Sequence, residues 1–89
     1  MTEQDLRQEL KQLHDQLTAS LHKEPLEKDL LGHVMTDIVR IAQGETLGGE
    51  DAETLMEQLE DKATDFESRH PKIAGVLRDI SEILAKLGI

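Results

Sequence analysis

The spacing of the apolar residues constrains the fold of this chain more than any other feature of its sequence. In the second half of the chain, one seam keeps a spacing of three or four residues without a slip. The seam consists of Met56, Leu59, Ala63, Phe66, His70, Ile73, Leu77, Ile80, Leu84 and Leu87. This spacing is typical of the apolar face of an α-helix, whereas a half-buried strand would alternate apolar and polar residues. We therefore predict an all-α fold.

Pro71 interrupts the seam. A proline in the interior of a helix lacks a backbone N–H, clashes with the preceding turn and costs about 3 kcal/mol. The seam nevertheless continues beyond Pro71 in the same phase. We expect one long C-terminal helix that is kinked or broken near Pro71, and a full reversal of the chain at this point is the alternative.

The first half of the chain shows two further helices. The apolar stripe of the first helix consists of Leu6, Leu10, Leu13 and Leu17. Thr2 and Asp5, three residues apart, resemble a capping box in front of this stripe. Pro25 suits the first position of a second helix, and Gly44 suits the end of that helix. We predict a single helical domain over residues 1–89, a small antiparallel bundle or helical hairpin, with helices at about 3–22, 25–43, 51–69 and 71–87.

The predicted C-terminal helix is longer than either N-terminal helix. At about 1.5 Å per residue, part of its seam would extend beyond them and stay exposed unless the chain bends back at Pro71. Each buried leucine or isoleucine side chain contributes about 1.5–3 kcal/mol, so a small chain gains stability by covering such a seam. We expect a homodimer, with a compact monomer as the alternative.

The negative charge of the chain is concentrated in one segment. The chain has 19 acidic and 10 basic residues and a formal charge of −9. Residues 45–67 hold nine acidic residues and one lysine, a charge of −8, which leaves −1 for the rest of the chain. Four carboxylates of this segment recur at i, i+4 spacing on one helix face and are named here the acidic stripe: Glu53, Glu57, Asp61 and Asp65. Like charges at this spacing destabilise a helix slightly, so the stripe does not serve helix stability. We interpret it as a solvated helix face that keeps a small protein soluble. A docking face for a basic protein partner or a loose site for divalent cations is the alternative.

Two groups of residues have the spacing of metal ligands. Glu67 and His70 form a Glu-x-x-His pair, an element that di-iron helical bundles use twice and that occurs once here. Asp29, His33 and Asp37 share one helix face and would need a fourth ligand from another element to bind zinc. A packed histidine and a polar surface are the competing interpretations, and we predict no metal ion or other cofactor.

Composition excludes several classes of function. Without cysteine the chain has no disulfide, thiolate nucleophile or thiolate metal ligand. Nucleic-acid binding needs clustered basic residues or stacking aromatics, and this acidic chain has one phenylalanine. No apolar run approaches the roughly 18 residues of a membrane span, and the first residues are too polar for a signal peptide. We therefore expect a cytoplasmic protein without nucleic-acid or membrane binding, and no enzyme, because no acid, base and pocket come together in the pattern.

The two ends of the chain resemble a known family. The segments are LRQELKQLHDQL at 6–17 and FESRHPKIAGVLRDISEILAKLGI at 66–89. The second segment contains a Phe-Glu-x-x-His-Pro element and a terminal Leu-Gly-Ile. Both segments are similar to a short bacterial family catalogued as domain of unknown function 4404, and the resemblance covers essentially the whole chain. It implies a bacterial helical protein and supplies no catalytic residue, because no activity is assigned to the family.

The expected function follows from the seams and the charge. We expect a non-enzymatic helical module for protein–protein interaction or self-association, with residues 45–67 available to a basic partner. A metal-binding helical bundle that uses the acidic helix face is the first alternative. An acidic mimic of nucleic acid, acting as an inhibitor, is the second.

Overall fold

Four helices make up the described part of the chain. A computed structural model describes residues 2–22 and 32–89. The helices are α1 (Glu3–His22), α2 (Gly32–Ala42), α3 (Gly49–Glu67) and α4 (Pro71–Lys86). No strand occurs within these residues, and the predicted all-α fold is confirmed. The predicted start of the second helix at Pro25 lies outside the described residues.

The helices pack in a closed cycle. Helix α4 packs against both α3 and α1, and α2 packs against both α1 and α3. The bundle measures 33 × 24 × 18 Å along its principal axes. At about 1.5 Å per residue, α1 alone extends over nearly the full length of the bundle.

The chain reverses between α3 and α4. Helix α3 ends at Glu67, α4 begins at Pro71, and these two helices share the most extensive contact in the bundle. The carbonyl of Phe66 accepts the backbone N–H groups of Arg69 at 3.1 Å and of His70 at 2.6 Å, which ends α3. Pro71 lies in the first turn of α4, where the missing N–H has no partner to lose. The break predicted near Pro71 is therefore confirmed, and it is a reversal.

The preference for one long C-terminal helix, kinked or broken near Pro71, over a full reversal was wrong. That preference rested on the unbroken phase of the seam across Pro71. Three residues separate α3 from α4, which is close to the 3.6 residues of one helical turn. The apolar spacing therefore stays in phase whether the chain continues or turns back, so the phase carries no information about direction.

The seam is buried within one chain. Its residues Leu59, Ala63, Phe66, Ile73, Leu77, Ile80 and Leu84 are all buried, and only Met56, His70 and Leu87 are half-buried. The leucine stripe of α1 and three residues of α2 also lie in the core: Leu6, Leu10, Leu13, Leu17, Leu21, Val34, Ile38 and Ile41. Residues beside the seam on α3 and α4 complete it: Leu55, Ala74, Val76 and Ile83. Because α4 folds back against α3, no part of the seam extends beyond the N-terminal helices. An exposed part of the seam was the reason for expecting a homodimer, and that reason does not apply.

The helix ends match the capping residues. The hydroxyl oxygen of Thr2 accepts the N–H of Asp5 at 3.2 Å, and the N–H of Thr2 donates to the Asp5 carboxylate at 3.3 Å. Helices α2 and α4 both end in Schellman motifs, in which a glycine adopts positive φ. In α4 this glycine is Gly88, with φ of +84°, and the N–H of Ile89 donates to the carbonyl of Leu84 at 3.0 Å.

Arg7 joins α1 to the end of α2. Its guanidinium donates to the carbonyl of Ile41, and to that of Glu45 at 3.1 Å. It also donates to the Glu3 carboxylate at 2.8 Å. The side chain is 13% exposed, and its positive charge lies against the negative end of the α2 dipole. Arg7 thus positions the segment that follows α2.

Two glycines of the C-terminal region should respond to alanine with opposite signs. Gly88→Ala should lower the free energy of unfolding by about 1 kcal/mol, because an L-residue is strained at positive φ. Gly75→Ala, within α4, should raise it by about 0.5–1 kcal/mol, because alanine favours the helix. A Cβ atom would meet no neighbour within 4 Å at either position. Urea unfolding followed by circular dichroism measures the free energy of unfolding of both variants. Equal changes in the two would contradict the Schellman assignment.

Loss of the Arg7 guanidinium should lower the free energy of unfolding more than loss of the charge on its α1 partner, Glu3. Arg7→Met keeps an apolar stem but removes the charged donor to the carbonyls of Ile41 and Glu45, at a cost of about 1–3 kcal/mol. In a chain of this size that lowers Tm by at least about 4 °C. Glu3→Gln removes only the exposed i, i+4 pair and should cost about 0.5 kcal/mol or less. Thermal unfolding of both variants checks this order.

Candidate functional site

Helix α3 has one buried side and one acidic side. Its buried residues are Ala52, Leu55, Leu59, Ala63 and Phe66. These residues contact the core, so the i, i+4 row that starts at Glu53 faces away from it. All four carboxylates of the acidic stripe are exposed.

The charge on α3 is largely uncompensated. The helix has eight acidic residues and one lysine, a charge of −7. Within the described residues, Glu67 is its only carboxylate in an ion pair, with its Oε2 atom 3.2 Å from Nη2 of Arg78. No stripe carboxylate has a basic group within ion-pair distance in the same part of the chain. The stripe therefore presents its full charge to solvent.

The position of these charges is unfavourable for α3 itself. Acidic residues stabilise the first turn of a helix and destabilise the last. Glu50 and Asp51 lie in the first turn, whereas no basic residue lies in the last turn, near Asp65 and Glu67. Arg78 compensates Glu67 from α4, but Asp65 has no such partner among the described residues.

The structure gives the predicted metal ligands other surroundings. Glu67 pairs with Arg78, and the His70 ring lies edge-on to Phe66 with their centroids 6.0 Å apart. His33 is exposed and Asp37 is half-buried on α2, and Asp29 lies outside the described residues. Within residues 2–22 and 32–89, no three histidine, aspartate or glutamate side chains form a group that could hold a metal ion.

A groove beside the acidic stripe was not predicted. It has a volume of about 800 Å³ and lies between α3, the last part of α4 and the segment after α2. Three half-buried apolar residues line it: Leu47, Met56 and Ile89. Glu53, Glu57 and Glu60 line it as well. Met56 opens the apolar seam and Gly88 predicts the fold-back of Ile89, but no local pattern brings Leu47 to them.

A second cleft lies at the other end of α4. It has a volume of about 510 Å³ and is lined by residues of α1, by the connection between α3 and α4, and by the start of α4. Ser20 of α1 and Ile73 of α4 both line this cleft. Its charged lining residues are basic, in contrast to the groove beside the stripe.

Among the described residues, no helix combines the length and the apolar character needed to cross a bilayer.

Neutralising the middle of the acidic stripe should stabilise the protein. Asp61→Asn removes the charge repulsion between residue 61 and its neighbours at i−4 and i+4, Glu57 and Asp65. It should raise the free energy of unfolding by about 0.5 kcal/mol. Asp15→Asn makes the same charge change on α1, where the residue at i−4 is Lys11, and should give no gain. Urea unfolding at low ionic strength compares the two. The gain should shrink in about 1 M salt, and a gain of equal size in both variants would contradict the local explanation.

Comparison with known proteins identifies the family of the chain. The profile of a family described as Domain of unknown function (DUF4404) matches residues 6–89. No curated protein and no solved structure gives a significant match. The match covers both terminal segments in which the resemblance was found, and it confirms that resemblance. The chain therefore belongs to the DUF4404 family, a domain of unknown function.

Proposed function

We propose that this protein is a non-enzymatic docking module that binds a basic protein partner through α3. The observation that carries the proposal is the acidic stripe, four exposed carboxylates without ion pairs among the described residues. The other face of the same helix is fully packed in the core. The stripe is thus held in a fixed row although its repulsion opposes the helix that carries it.

The chemistry of such a face favours a basic partner. Charges of one sign on one surface attract an oppositely charged protein and orient it during encounter. Exposed ion pairs contribute little each, about 0–1 kcal/mol, so a charged face alone gives fast and salt-sensitive association of modest strength. This suits a surface that recruits a partner and aligns it.

The partner class includes proteins that bind nucleic acid. Such proteins carry clustered lysine and arginine side chains, and a row of carboxylates would occupy the place of phosphates. We treat the nucleic-acid mimic as one outcome of the test below, because the same face would serve both kinds of partner.

Site-directed photo-crosslinking in the native cells would test the proposal. A photoreactive residue at Thr64, exposed on α3, should capture a basic protein, and the same residue at Gln12, exposed on α1, should not. The captured protein is then purified and its affinity measured directly. Asp61→Asn/Asp65→Asn should lower that affinity about tenfold at low salt.

A charge-matched variant controls for net charge. Glu9→Gln/Asp79→Asn removes two exposed carboxylates outside α3 and should change the affinity by less than about twofold. If both double variants lose affinity equally, the acidic face is not the docking surface. Competition of the partner by duplex DNA would assign the complex to the nucleic-acid mimic class, whereas indifference to DNA would assign it to ordinary protein docking.

A further inference from the structure

The groove beside the acidic stripe joins apolar and acidic surface in one place. Half of the partly buried apolar residues that pack against the core line it, namely Leu47, Met56 and Ile89. These side chains are covered by the protein on one side and open to the groove on the other. Met56 is unbranched and polarizable, and such side chains adapt well to an incoming apolar group.

The border of the groove is negative. Glu53 and Glu57 belong to the acidic stripe and line the groove, and exposed Glu60 lines it as well. Arg78 is the one basic residue in the lining, and its guanidinium lies 3.2 Å from the carboxylate of Glu67. Three carboxylates therefore face an occupant, against one cation that already has an acidic partner.

This combination selects among the occupants of the groove. Anionic lipid headgroups and phosphate backbones would be repelled by the glutamates. A second copy bound symmetrically would place the same patch against itself, so Glu53 and Glu57 would approach their own counterparts. A segment with apolar side chains flanked by lysine or arginine matches both the lining and the border.

We propose that the groove binds a short amphipathic segment of the basic partner, with apolar side chains inserted between Leu47, Met56 and Ile89 and basic side chains paired with Glu53 and Glu57. This inference rests on the proposed function and specifies the partner. The acidic stripe attracts and orients the partner, and the groove supplies the apolar contacts that hold it. Helix-in-groove binding of this kind is a common mode of peptide recognition.

Three synthetic peptides test the proposal on the full-length protein. The first has leucines at helical i, i+3, i+4 spacing with lysines between them, the second has the same composition in scrambled order, and the third has serine in place of leucine. Nuclear magnetic resonance titration of the isotope-labelled protein reports both affinity and location. The amphipathic peptide should bind about tenfold more tightly than either control, and should shift the amide signals of Leu47, Met56 and Ile89.

Two serine variants separate the groove from the acidic stripe. Ser81→Trp fills the groove without changing the charge, and Ser20→Trp fills the cleft at the other end of α4. The first should weaken binding of the amphipathic peptide about tenfold and the second by less than about twofold. Met56→Gln, which keeps the length of the side chain but adds a polar amide, should also weaken binding. Circular dichroism verifies that each variant remains folded.

The outcomes distinguish the groove from the docking function. If the serine–lysine peptide binds as tightly as the amphipathic peptide, and the shifts follow only Glu53–Asp65, the groove proposal is wrong and docking on the stripe stands. If none of the peptides binds at low salt, both proposals are wrong. If Ser81→Trp instead changes self-association in analytical ultracentrifugation, the groove is an interface between copies and the peptide assignment is overturned.

Discussion

The reversal of the chain between α3 and α4 is the step on which the rest of the bundle depends. It brings the two halves of the apolar seam into contact, so that each half is buried against the other. Helix α1 then packs against α4, and α2 closes the cycle between α1 and α3. The core is almost entirely aliphatic, with Phe66 as its single aromatic residue. A chain this small buries a limited fraction of its surface, so an independent fold requires that every apolar stripe be buried.

Local spacing accounts for how much of the fold could be predicted from the sequence. Helix type, buried faces and capping residues such as Thr2 and Gly88 all depend on residues within a few positions of one another. The direction of the chain after Pro71 does not, because a three-residue connection preserves the apolar phase in either direction. The hydrogen bond from Arg7 to the backbone carbonyl of Ile41 could not be predicted from local spacing either, because it joins residues 34 positions apart.

The same distinction applies to the candidate site. The acidic stripe is a periodic feature of one helix, and α3 places its carboxylates on the solvent side as the spacing indicates. The groove beside it is assembled from the segment after α2, from α3, and from the end of α4. Only tertiary packing brings its apolar residues together, because Leu47 lies in an irregular segment without periodicity. The apolar groove could therefore be identified only in the three-dimensional structure.

The Schellman motif at the end of α4 has a consequence for how that groove behaves over time. One side of the groove is the middle of α3, whereas Leu47 lies in the connection between α2 and α3, and Ile89 lies just beyond the end of α4. Helix ends open locally at a small fraction of the free energy of global unfolding, and their amide hydrogens exchange first. Fraying of the end of α4 would therefore change the width of the groove. An occupant that packs against Ile89 would slow amide exchange at that helix end, so binding would be detected in local order as well as in affinity.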